Sequence, residues 1–138
     1  MDSYVKNFII ASVVYLGLSS LIGIMMMASP THLTFKFVHS HLMLLGWVTM
    51  MIYGVGYHVL PRFAGRVIKS RKAAEAQFWL ANIGLIGMVI CYSIPMSSTQ
   101  EGILRMLGAV FGVMEAVSIM LFVYNMLATL VPKPEHPA

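Results

Sequence analysis

The chain has 138 residues, 59% of them hydrophobic and only 10% charged, with a net charge of +4 and a mean hydropathy of +0.81. This composition excludes an ordinary soluble domain and points to a single-domain integral membrane protein. The lone cysteine, Cys91, excludes an intrachain disulfide, and with no CxxC or CxxCH, neither covalent haem attachment, an iron–sulfur cluster nor a cysteine zinc site is expected.

A bilayer core about 30 Å thick takes about 20 apolar residues in a helix. The sequence predicts four such spans, roughly Phe8–Ala28, Phe37–Leu60, Phe78–Pro95 and Ile103–Val131, and hence an all-α four-helix membrane bundle in one domain. Pro30, Pro61, Pro95 and Pro132 fall where these spans should stop. The opening MDSYVKNFIIASVVYLGLSS is read as a retained helix and not a signal peptide, because its apolar run continues to Met27 without a small-x-small cleavage site.

The first span ends in Met25, Met26 and Met27, and the short loop SPTHLTFK after it carries His32. Imidazole suits several transition metals and thioethers favour Cu(I), so copper binding or transfer by this Met and His cluster is one reading. Simple apolar packing of the methionines is the other.

The second span opens FVHSHLMLLGW. His39 and His41 are two residues apart, about 200° around a helix, so one should face the bundle and the other lipid or a subunit interface. Interfacial histidines bonding to water or loop carbonyls would look the same. His58 lies about 25 Å further along the helix and cannot share a metal with this pair. It is expected to be an interface residue beside Tyr57 and Arg62.

The loop PRFAGRVIKSRKAAEAQ contributes Arg62, Arg66, Lys69, Arg71 and Lys72. With Lys6 and Lys133, seven cations lie at one end of the bundle, against Lys36 and Arg105 at the other. The positive-inside rule therefore predicts cytoplasmic termini and an outward-facing His39 and His41. It also explains the net charge without nucleic acid.

Glu115 is the only acidic residue deep in a span, near mid-bilayer on the fourth helix. It reads as a proton site or a partner for a buried polar group, with Gln77, Asn82 and Asn125 as candidates. Gly108, Gly112 and Ala116 form a small-residue stripe that suits close helix contact. The tail 132–138, with His136, is expected to be flexible.

The line FVHSHLMLLGWVTMMIYGVGYHVLPR resembles helix 2 of the catalytic subunit I of haem-copper oxidases, in the nitric oxide reductase and cbb-type branch. In that family a histidine near the outer end of helix 2 ligates a b-type haem, and the helix ends aromatic-x-aliphatic-aliphatic-Pro. Tyr57-His58-Val59-Leu60-Pro61 is similar to that ending, and counting back from Pro61 puts His39 at the ligating position.

The resemblance implies haem b held by His39 or His41, with Trp47, Phe35, Phe37 and Tyr53 lining the ring and Lys36 or Arg105 pairing with a propionate. It also implies a small cytochrome b-like protein of a bacterial or archaeal inner membrane, for electron transfer or for binding and sensing a diatomic gas. The family's catalytic subunits have about a dozen helices, and the last two spans here hold no histidine. Oxygen or nitric oxide reduction by this chain alone is therefore not expected. The second axial ligand would come from Met25, Met26, Met27 or His32, from the same histidine of a second copy in a homo-oligomer, or from no protein group. A non-catalytic subunit or assembly factor is the remaining alternative.

Overall fold

The protein, a computed structural model, is described over residues 1–94 and 101–131. Pro95, Pro132, His136 and the tail 132–138 lie outside the described residues. Four helices are long and apolar enough to cross a membrane: α1 Ser3–Ala28, α2 Lys36–Phe63, α3 Arg71–Ser93 and α4 Glu101–Leu130. A single 3₁₀ segment, Pro30–Phe35, joins α1 to α2. No strand occurs among the described residues.

The helices begin earlier than their apolar runs. In α3 the Ser70 side chain accepts the Ala73 N–H at 3.1 Å, a helix N-cap eight residues before the expected Phe78. The intervening RKAAEAQ is polar but rich in good helix formers, so it forms the interfacial turn. Nor does Pro61 end α2. It lies inside the helix, which stops instead at Gly65 with φ 63°. There the Arg66 N–H reaches the Pro61 carbonyl at 2.8 Å and the Gly65 N–H reaches that of Arg62 at 3.0 Å. This paired pattern satisfies the last carbonyls of the helix, and a glycine is the residue that adopts it without strain.

Each helix buries one stripe. In α1 it is Tyr4, Val5, Phe8, Ser12, Tyr15 and Ser19, a helical spacing of three and four. In α2 it runs Val38, Leu42, Gly46, Met50 at a constant four. A constant four drifts about 40° per step around an α-helix. The wider π turns over Leu42–Thr49 take up that drift and keep the four residues on one face.

The helices pair as two antiparallel hairpins, α1 with α2 and α3 with α4, and the α3–α4 seam is the most extensive. It is glycine-lined on both sides. A Cβ on Gly84 would lie 2.9 Å from the Glu115 nitrogen, and Gly87 lies against the Phe111 ring. Gly108 faces Tyr92 and Gly112 faces Met88, so the expected stripe packs inside the bundle, except that Ala116 is exposed. Both termini of this four-helix array lie at the end that holds the loop 64–70, called the basic end below. The opposite end is called the histidine end.

Candidate functional site

The inward stripe of α1 continues one turn past Ser19 to Gly23. A Cβ at Gly23 would stand 3.0 Å from Cε1 and 3.4 Å from Nδ1 of His39, so the imidazole occupies the space that any other residue would fill. Ser19 fixes the ring. Its carbonyl oxygen lies 2.9 Å from His39 Nδ1, and its hydroxyl donates to the His39 carbonyl at 3.2 Å. A carbonyl only accepts, so a ring bonded to it donates from Nδ1, which in neutral imidazole leaves the lone pair on Nε2; the Ser19 hydroxyl also lies 3.2 Å from Nδ1. Nε2 has no hydrogen bond among the described residues.

The ring borders an open groove of about 510 Å³, otherwise lined by Ser20, Gly23, Ile24, Met26 and Met27. That volume falls within the ~300–1,000 Å³ of small-molecule and cofactor sites. An imidazole with one nitrogen bonded to a carbonyl and the other free is arranged as metal-ligating histidines are.

His41 turns the other way. Its Nδ1 lies 2.9 Å from the Phe37 carbonyl, and its ring stacks on Phe37 at 3.8 Å between centroids. Phe37 in turn stacks on Tyr92 of α3 at 4.0 Å. The two-residue spacing thus sends His39 to α1 and His41 towards α3.

His32 closes the end of α1, with Nδ1 2.8 Å from the Met25 carbonyl, one of the four left open at a helix C-terminus. Met27 is 90% exposed on the groove rim. Among the described residues, no three His, Cys, Asp or Glu side chains converge on a metal-sized point.

Of the other expected site residues, Trp47 is half-buried in the π turns and Lys36 is exposed at the first turn of α2. Arg105 pairs with Glu101 at 2.6 Å on α4. None of the three lines the groove. Tyr53 packs against Phe8 and Phe122 in the core. At the basic end Arg62 holds His58 through both its Nδ1, at 2.7 Å, and its carbonyl. The groove therefore gathers His39 and Met27 and leaves out His41, His32, Trp47, Lys36 and Arg105. Ser19 and Gly23 were not singled out from the sequence. The signal was there: a serine and a glycine four apart, on the helix that a short loop folds against the histidines.

A second polar cluster lies in mid-bundle. Glu115 is 3% exposed, and neither carboxyl oxygen has a hydrogen-bond partner. None of the three expected partners bonds to it, although the Gln77 side-chain nitrogen is unpartnered too. Asn82 accepts from Tyr15 at 2.7 Å, the Gln77 carbonyl oxygen of the side chain accepts from Tyr57 at 2.5 Å, and Asn125 binds the Ser70 N–H and carbonyl.

Residues 2–96 match the family model described as cytochrome c and quinol oxidase polypeptide I. The chain is 31% identical over 88 residues to the cbb3-type cytochrome c oxidase subunit CcoN1 of Stutzerimonas stutzeri, which is 59% of this chain and 19% of that protein. It is 34% identical over 88 residues to cytochrome c oxidase subunit 1 of Rhodobacter capsulatus, 59% of this chain and 16% of that one. The chain thus spans less than a fifth of the length of these relatives. The family match includes α1, α2 and α3, and with them the groove, whereas Glu115 lies beyond it.

Proposed function

Because the chain belongs to the cytochrome c and quinol oxidase polypeptide I family, we propose that it is a membrane protein holding a b-type haem on the imidazole of His39. The observation that carries this reading is the 2.9 Å contact between His39 Nδ1 and the Ser19 carbonyl, which leaves Nε2 as a lone-pair donor beside an open apolar groove. The residues fit the group on three counts. Nδ1 lies against a carbonyl and Nε2 is unbonded, Gly23 leaves room for the ring, and the groove walls of Ile24, Met26 and Met27 suit a flat apolar macrocycle.

Bound there, haem supplies a one-electron centre or, with one axial position open, a binding position for a diatomic gas. The chain's own part is to orient the imidazole through Ser19, to exclude side chains through Gly23, and to keep water from one face. The outer wall of the groove is exposed: Ile24 is 64% and Met27 90% accessible. Met27, or an equivalent His39 of a second copy of the chain, would supply a further ligand to a haem held there. Helices α3 and α4 hold no histidine, so reduction of oxygen or nitric oxide by these four helices alone is not part of this reading. The seven-to-two distribution of cations in the sequence supports a cytoplasmic basic end, with the groove near the outer face of an inner membrane.

The test is an oxidised and dithionite-reduced optical spectrum of protein purified from haem-replete membranes, with and without carbon monoxide. A Soret band with b-type reduced maxima is expected. A colourless protein, even after haem supplementation, overturns the reading, and the response to carbon monoxide separates an open from a filled sixth position.

A further inference from the structure

Four buried polar atoms in mid-bundle have no hydrogen-bond partner: both carboxyl oxygens of Glu115 on α4, the side-chain nitrogen of Gln77 on α3 and the hydroxyl of Tyr53 on α2. All three residues are more than nine-tenths buried. Orphaned groups on three different helices cost stability in a bilayer unless water or a proton satisfies them. The described cations, Lys6, Lys36, Arg62, Arg66, Lys69, Arg71, Lys72 and Arg105, are all exposed, so none of them neutralises an ionised Glu115. The titratable groups within its electrostatic reach are the phenols of Tyr15 on α1 and Tyr53 on α2. Helix α3, packed on the Glu115 backbone through Gly84, buries no charged side chain.

The surroundings of the cluster are lopsided. From Gln77 towards the basic end a hydrogen-bonded series runs as far as the loop. The Ser118 hydroxyl meets the Gln77 backbone carbonyl at 3.4 Å, and Tyr57 donates to the Gln77 side chain. Asn125 reaches Tyr57 at 3.4 Å, and Thr129 binds the Lys69 N–H at 2.9 Å in the loop. On the other side stands the Tyr15–Asn82 pair, and towards the histidine end the α3–α4 seam is apolar, with Met88 against Gly112 and Cys91 against Gly108.

We propose that Glu115, Gln77 and Tyr53 enclose a hydrated proton-binding site in which the Glu115 carboxyl carries its proton and exchanges it with the basic end alone, through Gln77, Tyr57, Asn125 and the loop. The step is simple exchange: the carboxyl O–H bond breaks and re-forms with a proton delivered through water, and nothing is oxidised. This site does not depend on haem, and its carboxyl, Glu115, lies beyond the residues that match the family.

Infrared spectroscopy of the full chain in lipid at neutral pH tests it. The other described acids, Asp2, Glu75 and Glu101, sit at the ends of helices, and two of them pair with Arg71 and Arg105. A protonated-carboxyl band is expected from Glu115. It should move on ¹³C-glutamate labelling, disappear in Glu115→Gln and shift in D₂O. Asn125→Leu should slow the D₂O shift about tenfold or more, as expected when a hydrogen-bonded link in the route is broken. No such band in the labelled wild type overturns the site, whether or not Glu115→Gln folds. A band that never shifts in D₂O overturns the exchange, and an unchanged rate in Asn125→Leu overturns the route.

Discussion

Adding one methyl group at Gly84 should weaken the fold, while adding one at Gly112 should not. Both glycines lie on the α3–α4 seam, and both gain about 1 kcal/mol of helix propensity on becoming alanine, so that gain cancels between them. What differs is the neighbour. At Gly84 the new Cβ would stand 2.9 Å from both the Glu115 nitrogen and the Phe111 oxygen, and 3.3 Å from the Glu115 Cα. These are backbone atoms of a neighbouring helix and cannot rotate aside. Restoring an ordinary contact of about 3.5 Å means moving α3 and α4 apart by about 0.6 Å, and a gap of that size forfeits roughly a quarter to a half of each contact along the seam.

At Gly112 the only neighbour is the Met88 sulfur at 3.5 Å, already a normal distance to a flexible side chain. Overpacking of this kind typically costs ~1–3 kcal/mol, so Gly84→Ala should be less stable than Gly112→Ala by about that amount. Denaturant titration in mixed micelles, followed by far-UV circular dichroism, measures the difference. Equal midpoints, or a higher one for Gly84→Ala, would refute the seam as described.

At the groove, His39→Ala should abolish the reduced haem spectrum and His41→Ala should only shift it, as read in the same optical assay. Gly23→Leu should also lose haem, because its side chain takes the space of the His39 ring. Ser19→Ala keeps the backbone carbonyl that holds Nδ1 but removes a hydroxyl bond of about 0.5–1.5 kcal/mol. It should therefore retain haem with affinity weakened by up to about tenfold, measured by competition with apomyoglobin. Gly65→Ala forces an L side chain to φ 63° and should lower stability by about 1–2 kcal/mol in the same denaturant titration.

Much of this was legible because the membrane restricts the options. Apolar length alone located four helices, and the two-residue spacing of His39 and His41 required them to diverge, as they do towards Ser19 and Phe37. The helix ends were harder to read. RKAAEAQ looks like loop by polarity, yet it forms the first turns of α3 because Ser70 caps it. Pro61 looks like a stop, but the Gly65 turn ends α2 instead. The π turns were hidden in a constant four-residue interval whose 40° drift only matters once the partner helix is known.

The partners of Glu115 were misplaced for a related reason. Asn82, Gln77 and Asn125 have the right chemistry, but distance to competing groups such as Tyr15, Tyr57 and Ser70 decides which bonds form. Sequence spacing within one helix says little about such contacts between helices. Ser19 holds the His39 ring through its backbone carbonyl, which every residue has, so only its hydroxyl and its spacing to Gly23 were readable in the sequence.

The most direct check is an experimental density map of the protein purified from its own membrane, viewed at the outer end of α1 and α2. Porphyrin density should lie in the groove beside Gly23 and Met27, with iron within bonding distance of His39 Nε2 and Nδ1 still against the Ser19 carbonyl. A His39 ring that meets only lipid or water, in a map where the surrounding side chains are well resolved, would contradict it.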